Sequence, residues 1–220
     1  MRVMTKRIIM SISGVVLCGL SVGMFKHAAL GVDPFQALMS GLDAVIPIRF
    51  GTLYVIVNAL LLILPLLLDR HKIGLATFIN LFLLGYVVEF SQSLCARLLP
   101  GLGLGGRALL LAAALVPLSL ASSLYFTADL GVSTYDAVAL VWSEKQSRIA
   151  FPLCRILTDS TCVLLGGALC LLSGMSLPQL FGSVGVATVI TAFFMGPLIE
   201  FFNKTVSRPL LGVESETNSR

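Results

Sequence analysis

A chain of 220 residues that is 57% hydrophobic and only 12% charged is too apolar for a soluble domain, which carries roughly 25% charged residues. Its net charge of +4 is spread over loops rather than gathered in a stripe, which excludes a nucleic-acid footprint. Five cysteines without a Cys-x-x-Cys, and two histidines at the ends of apolar runs, offer no metal site and no disulfide framework, so no cofactor is expected.

In chain order, the first apolar run covers about 8–26 and follows the basic residues Arg2, Lys6 and Arg7. That pattern also fits a signal peptide. Residues 8–30 align with the internal run 108–130, however, so the first run is expected to be retained as a span. Gly19 and Gly23 in it match Ser119 and Ser123 in the fourth run, small residues at a spacing that lets helix backbones approach. A short apolar stretch at 33–46 follows, opened by Asp33-Pro34, an N-cap with Pro at the first helical position. Runs at about 52–68 and 73–90 complete the first half. The second half has runs at about 107–127, 153–173 and 180–202, and a second short stretch at 133–146. That stretch opens with Ser133-Thr134-Tyr135-Asp136, the spacing of a capping box. The six long runs approach the ~20 residues that cross a bilayer. A helix of about 14 residues reaches only about 20 Å, so both short stretches are expected to be re-entrant or interfacial half-helices. Pro65 and Pro117 are expected to kink their spans.

The two halves repeat each other. Leu30-Gly31-Val32-Asp33-Pro34-Phe35 returns as Leu130-Gly131-Val132-Ser133-Thr134-Tyr135. The block from Gly74 through Thr77 and Gly85 to Glu89 returns as Gly185, Thr188, Gly196 and Glu200, with the offset drifting from 100 to 111. Three spans per half is an odd number, so the second half must run opposite to the first, an inverted-topology repeat of the kind found in transporters. The expected fold is an all-α polytopic membrane protein. It has six transmembrane helices as two inverted three-helix repeats (about 8–90 and 107–202), each with a short half-helix after its first span. A single transmembrane domain covers 1–205 and a polar cytoplasmic tail 206–220. Were the half-helices to cross, each half would have four spans and the repeats would be parallel. Ten Lys and Arg fall in the segments that are inside when the N-terminus is inside, against four outside. Both termini are therefore expected to be cytoplasmic.

Ionisable and amide groups inside a membrane need a reason. Asp159 in the fifth run and Asn58 in the second occupy matching repeat positions and should meet near the midplane. Two readings compete. Arg155 and Asp159 can form an i,i+4 ion pair that cancels charge. Alternatively, Asp159 and Asn58 line a central substrate site with Thr77, Asn80, Thr188 and Thr191 on its walls. Glu89 and Glu200 end the third and sixth runs at one repeat position, and Tyr54 is the counterpart of Arg155. Contacts Arg155–Glu200 and Tyr54–Glu89 are expected, structural or gating in role. Gly31 and Gly131 are expected to permit a bend before each half-helix. Asp33, Pro34 and Asp136 then shape helix starts whose partial positive charge would draw an anion, although the two carboxylates oppose one.

The Leu-Gly-Val-Asp-Pro-Phe segment, the start Phe50-Gly51-Thr52-Leu53-Tyr54 with Asn58, and the Leu-Gly-Val-Ser-Thr-Tyr-Asp136 copy resemble the YczE/YitT-type family of small bacterial integral membrane proteins. The resemblance runs over roughly residues 8–205 and implies a multi-pass protein of the bacterial cytoplasmic membrane with a poorly defined role. It carries over no catalytic or binding residue.

The function expected from these features is a small-molecule permease or transport-related protein with a mid-membrane polar site. Asp159 is the candidate proton or cation carrier. The alternative is a non-transporting accessory or scaffold protein that acts on a membrane protein partner. A chain this small also admits a homodimer. No His-Glu-x-x-His, Gly-x-Ser-x-Gly or nucleotide-binding loop is present, so no catalytic residue and no enzyme activity is expected. The partners expected are the lipid bilayer and a small-molecule or ion ligand.

Overall fold

The computed structural model describes residues 3–70, 73–145 and 151–212. The described chain is built of helices: α1 (Val3–Ala28), α2 (Pro34–Val45), α3 (Phe50–Leu68), α4 (Leu75–Leu98), α5 (Leu104–Ala128), α6 (Thr134–Lys145), α7 (Phe151–Leu172), α8 (Leu177–Ser183) and α9 (Val186–Phe202). A π-helical segment (Asn203–Ser207) and the short α10 (Arg208–Leu211) follow. Four of them, α1, α3, α4 and α5, are long and apolar enough to cross a membrane. Large apolar side chains are exposed around the bundle, among them Leu67, Phe82, Leu109, Leu164 and Leu172. Helices apolar on the outside as well as the inside are those of a membrane protein.

α1 is the central post, packed against α4 on one side and α5 on another. Small residues set the first contact. A methyl added at Gly19 would lie 2.7 Å from Val87, and one at Gly23 would lie 2.4 Å from Ser91. At the matching positions of α5, Ser119 reaches Met195 of α9 (3.6 Å) and Ser123 donates to Asn203 (2.7 Å). α2 lies on α7, and α6 lies on α3. Arginines one hundred residues apart mark the ends of the α1–α5 pair. Arg107 at the start of α5 donates to the carbonyls of Ala28 and Ala29, which close α1, and Arg7 near the start of α1 pairs with Asp129 beyond α5 at 3.6 Å. A cation at a helix C-terminus satisfies orphan carbonyls and the helix dipole together.

The two Leu-Gly-Val turns are each docked on a helix start from the other half of the chain. The Leu130 carbonyl accepts from Ala76 N at 2.9 Å, and the Thr77 hydroxyl donates to the Val132 carbonyl at 2.6 Å. In the other half, the Leu30 carbonyl accepts from Ala187 N at 2.8 Å. Gly31 N and Val32 N donate to Gly182 O and Ser183 O at 3.1 and 3.2 Å. Gly31 and Gly131 take φ of +106° and +107°, a region closed to side chains. A methyl at Gly131 would lie 2.4 Å from Gly74 N, and one at Gly31 would lie 2.6 Å from Gly185 N.

This docking corrects the sixth apolar run. Residues 180–202 are not one helix: the chain breaks at Val184–Gly185, between α8 and α9. The carbonyls of Gly182 and Ser183 leave the helix ladder there to meet the Gly31 turn, and Gly185 gives the Leu30 carbonyl room to approach. The third run begins at Leu75 and continues to Leu98, so Glu89 lies inside α4 rather than at its end. Pro65 and Pro117 lie within α3 and α5. Residues 206–212, expected to begin a polar tail, continue the fold. Ser207 is buried against Ser123 (2.6 Å), and Leu211 packs with Met10, Leu124 and Ala128. The rest of that expected tail, 213–220, lies outside the described residues.

Forced backbone geometry and overlap together predict a loss of roughly 3–5 kcal/mol for Gly31→Ala and for Gly131→Ala. Gly105→Ala, with open space around it, is expected to be neutral or to gain up to about 1 kcal/mol of helix propensity. Thermal unfolding of the three variants in one detergent checks the contrast.

Candidate functional site

The docked turns set the starts of α2 and α6. Asp33 caps α2, its Oδ1 accepting from Gln36 N at 3.1 Å, with Pro34 at the first helical position. Ser133 plays the same part for α6: its hydroxyl accepts from Asp136 N at 3.1 Å and donates to Asp136 Oδ2 at 2.7 Å. Both expected caps are thus in place. The two helix starts face each other, with the Phe35 and Tyr135 rings stacked at 5.0 Å and 20°. Tyr54 meets Phe35 edge-on at 6.0 Å.

A cavity of about 650 Å³ opens beside this stack and takes lining residues from α1, α2, α3, α4, α5, α6, α7 and α9. Its polar wall combines Gln36, Asn58 and Asn80 from the first half with Ser122, Tyr125, Tyr135, Asp136, Asp159 and Thr191 from the second, besides the caps Asp33 and Ser133. Three of these pairs occupy equivalent repeat positions: Gln36 with Asp136, Asn58 with Asp159, and Asn80 with Thr191. The first half supplies carboxamides where the second supplies carboxylates and a hydroxyl. The site is therefore paired in position and unequal in chemistry.

Several hydrogen bonds fix this wall. The Tyr54 hydroxyl donates to Asn80 Oδ1 at 3.2 Å. Asn58 Nδ2 donates to the Tyr54 carbonyl at 2.8 Å, and its Oδ1 accepts from Thr134 of α6. Tyr135 donates to Asp159 Oδ1, tying α6 to α7. Thr191 donates to the Thr188 carbonyl at 3.0 Å.

A family model described as a family of unknown function, DUF6198, matches residues 5–204. The chain belongs to the DUF6198 family. It is similar to the uncharacterized protein YyaS of Bacillus subtilis (strain 168), with 24% identity over 198 residues that cover 90% of this chain and 92% of YyaS. No solved structure matches it.

In this DUF6198 member, Asn58, Asn80, Asp159 and Thr191 line one cavity. Thr77 and Thr188, expected beside them, hold helix starts instead: each hydroxyl accepts from the glycine N–H three residues earlier, Gly74 and Gly185, at 3.2 Å. A threonine at the third position of a helix reaches back to the cap rather than into the bundle. The expected Tyr54–Glu89 contact is replaced by Tyr54–Asn80. Glu89 turns to Arg49 at 3.0 Å and to Gly51 N at 3.4 Å, because the charged partner at the helix end outweighs a neutral phenol. Glu200 meets Lys204 at 3.4 Å and Asn203 Nδ2 at 3.3 Å. The Arg155 side chain, and with it both its expected contacts, lies outside the described residues.

The cavity lining also includes Gln36, Tyr125, Tyr135, Ser122 and Cys18, none of them expected from the sequence, and Tyr54, Asp33 and Asp136, expected only in structural or gating roles. Equivalence to Asp136 was the available signal for Gln36. Nothing in hydropathy marks Tyr125, because the azimuth of a residue on a span is not visible in an all-apolar helix.

Asn58→Leu leaves the buried Thr134 hydroxyl without its acceptor and is expected to cost about 1–3 kcal/mol. Thr134→Val added to it should cost less than the sum of the two single changes. A double-mutant cycle of thermal stability reads this coupling.

Proposed function

We propose that the chain crosses the bacterial cytoplasmic membrane six times as two inverted repeats, with both termini cytoplasmic, and serves as a small-molecule permease. This is the kind of small multi-pass protein that the resemblance to YczE/YitT-type proteins implies. One observation carries the reading: the cavity of about 650 Å³ with polar walls drawn from both halves of an otherwise apolar bundle. Its volume is that of small-molecule sites. Inverted-repeat transporters hold substrate near the midplane between their repeats, at broken helices. The short helices α2 and α6 and the break between α8 and α9 support this reading. Arg7 and Arg107, each at the end of the other copy's first helix, and the two exchanged turns are pairwise contacts that favour such a repeat.

Asp159, tied to Tyr135 across the stacked ring pair, is the group suited to couple passage to a proton or cation. Protonation would change the Tyr135 hydrogen bond, and with it the hold of α7 on the α6 start. In proteoliposomes, uptake of a transported metabolite under an imposed proton or sodium gradient is expected to depend on that gradient. Asp159→Asn is expected to abolish the coupled component. Full coupled uptake in Asp159→Asn would remove Asp159 from the mechanism. Absence of uptake across a broad metabolite panel would remove the permease reading.

A further inference from the structure

Two polar atoms of the cavity wall stand apart from the hydrogen bonds above. Gln36 Oε1 and the Tyr125 hydroxyl are buried and have no hydrogen-bond partner among the described residues. Gln36 is 3% exposed and Tyr125 7%, and both line the cavity. Buried polar atoms are nearly always paired, so each orphan calls for a partner. The amide oxygen accepts only, which makes that partner a donor.

The charge of the ligand follows from what surrounds these atoms. Two helix starts would ordinarily favour an anion. Here both are capped, Gln36 N by Asp33 and Asp136 N by Ser133, and each cap brings a carboxylate to the cavity edge. An anion would have to displace these caps and approach Asp33, Asp136 and Asp159. No Lys, Arg or His is among the described lining residues. The wall also holds the aromatic residues Phe35, Tyr54, Tyr125 and Tyr135, and aromatic rings attract a cation over their faces. No three His, Cys, Asp or Glu side chains among the described residues are placed to hold a metal ion, and the cavity is far larger than one ion. The partners described for the three carboxylates are Gln36 N, Ser133 and Tyr135, and the orphan acceptors, not a bare acid, carry the inference.

We propose that the cavity takes a small organic cation, a protonated amine with an apolar body, whose N–H group donates to Gln36 Oε1 and whose body lies among the aromatic residues with Tyr125 at its edge. The inference rests on the permease reading for its biological sense, but not for its test.

The test uses three probes of one shape and different charge: 2-phenylethylammonium, 2-phenylethanol and phenylacetate. Each is added at millimolar concentration to the full chain in lipid discs, with thermal midpoint and titration calorimetry as readouts. The expected result is a selective upward shift with phenylethylammonium. In Gln36→Met that binding should weaken by at least about tenfold, while the unliganded variant is as stable as the parent or more so, because an orphan buried acceptor is gone. Tyr125→Phe should show the same pairing of weakened binding with unreduced stability, and it alters only one oxygen. The proposal is overturned by any of three results: no response to phenylethylammonium in folded protein, equal or stronger binding of phenylacetate or phenylethanol, or unchanged phenylethylammonium binding in both variants. Binding of the amine without its uptake into proteoliposomes supports the ligand class and counts against transport of amines, so the two ideas fail separately.

Discussion

Inside a bilayer no water is available to satisfy a backbone N–H or carbonyl, and every irregular segment must find its partners in protein. The first turn of each helix leaves N–H groups orphaned, and each turn leaves carbonyls. Here the two shortages cancel across the halves of the chain. The carbonyl of Leu130 takes Ala76 N at the start of α4, and the carbonyl of Leu30 takes Ala187 N at the start of α9. Thr77 and Thr188 satisfy the glycine N–H just before each helix. Backbone must touch backbone for this, which is why Gly31 and Gly185, like Gly131 and Gly74, carry no side chain at the point of approach.

The rest of the site follows from these two locks. With its turn pinned, each chain leaves in a direction that brings Asp33 and Ser133 to cap short helices whose first aromatic residues, Phe35 and Tyr135, stack on each other. The cavity opens beside this stacked pair, lined by α1, α3, α4, α5, α7 and α9 as well as by the short helices. Its polar wall is fixed by bonds between elements, with Thr134 of α6 on Asn58 of α3 and Tyr135 of α6 on Asp159 of α7. Movement of a short helix would change the wall directly. That links the fold to the proposed passage of a ligand.

Much of this was visible in the chain. The repeated Leu-Gly-Val segment located both turns, the caps Asp33 and Ser133 located both short helices, and the apolar runs located the long ones. Asn58, Asn80, Asp159 and Thr191 were legible as cavity residues because polar groups in apolar runs have few other places to be. What stayed hidden depends on which face a residue presents and on where backbone bonds go. The break at Val184–Gly185 sits in an unbroken apolar run, and hydropathy does not register that two carbonyls are wanted elsewhere. Thr77 and Thr188 read as wall residues because one helical turn separates a capping threonine from a lining one. Gln36 and Tyr125 matter because each has a buried oxygen without a partner among the described residues, which only the assembled bundle shows.

The proposed opposite sense of the two halves is tested most directly at equivalent connections. Arg70 follows α3 in the first half and Ser176 follows α7 in the second, and both are exposed. Single cysteines at these two positions, in a background without the five native cysteines, can be probed in intact cells with a membrane-impermeant maleimide. The expected result is labelling of Ser176→Cys from outside and of Arg70→Cys only after the membrane is permeabilised. Labelling of both from the same face would contradict the inverted arrangement.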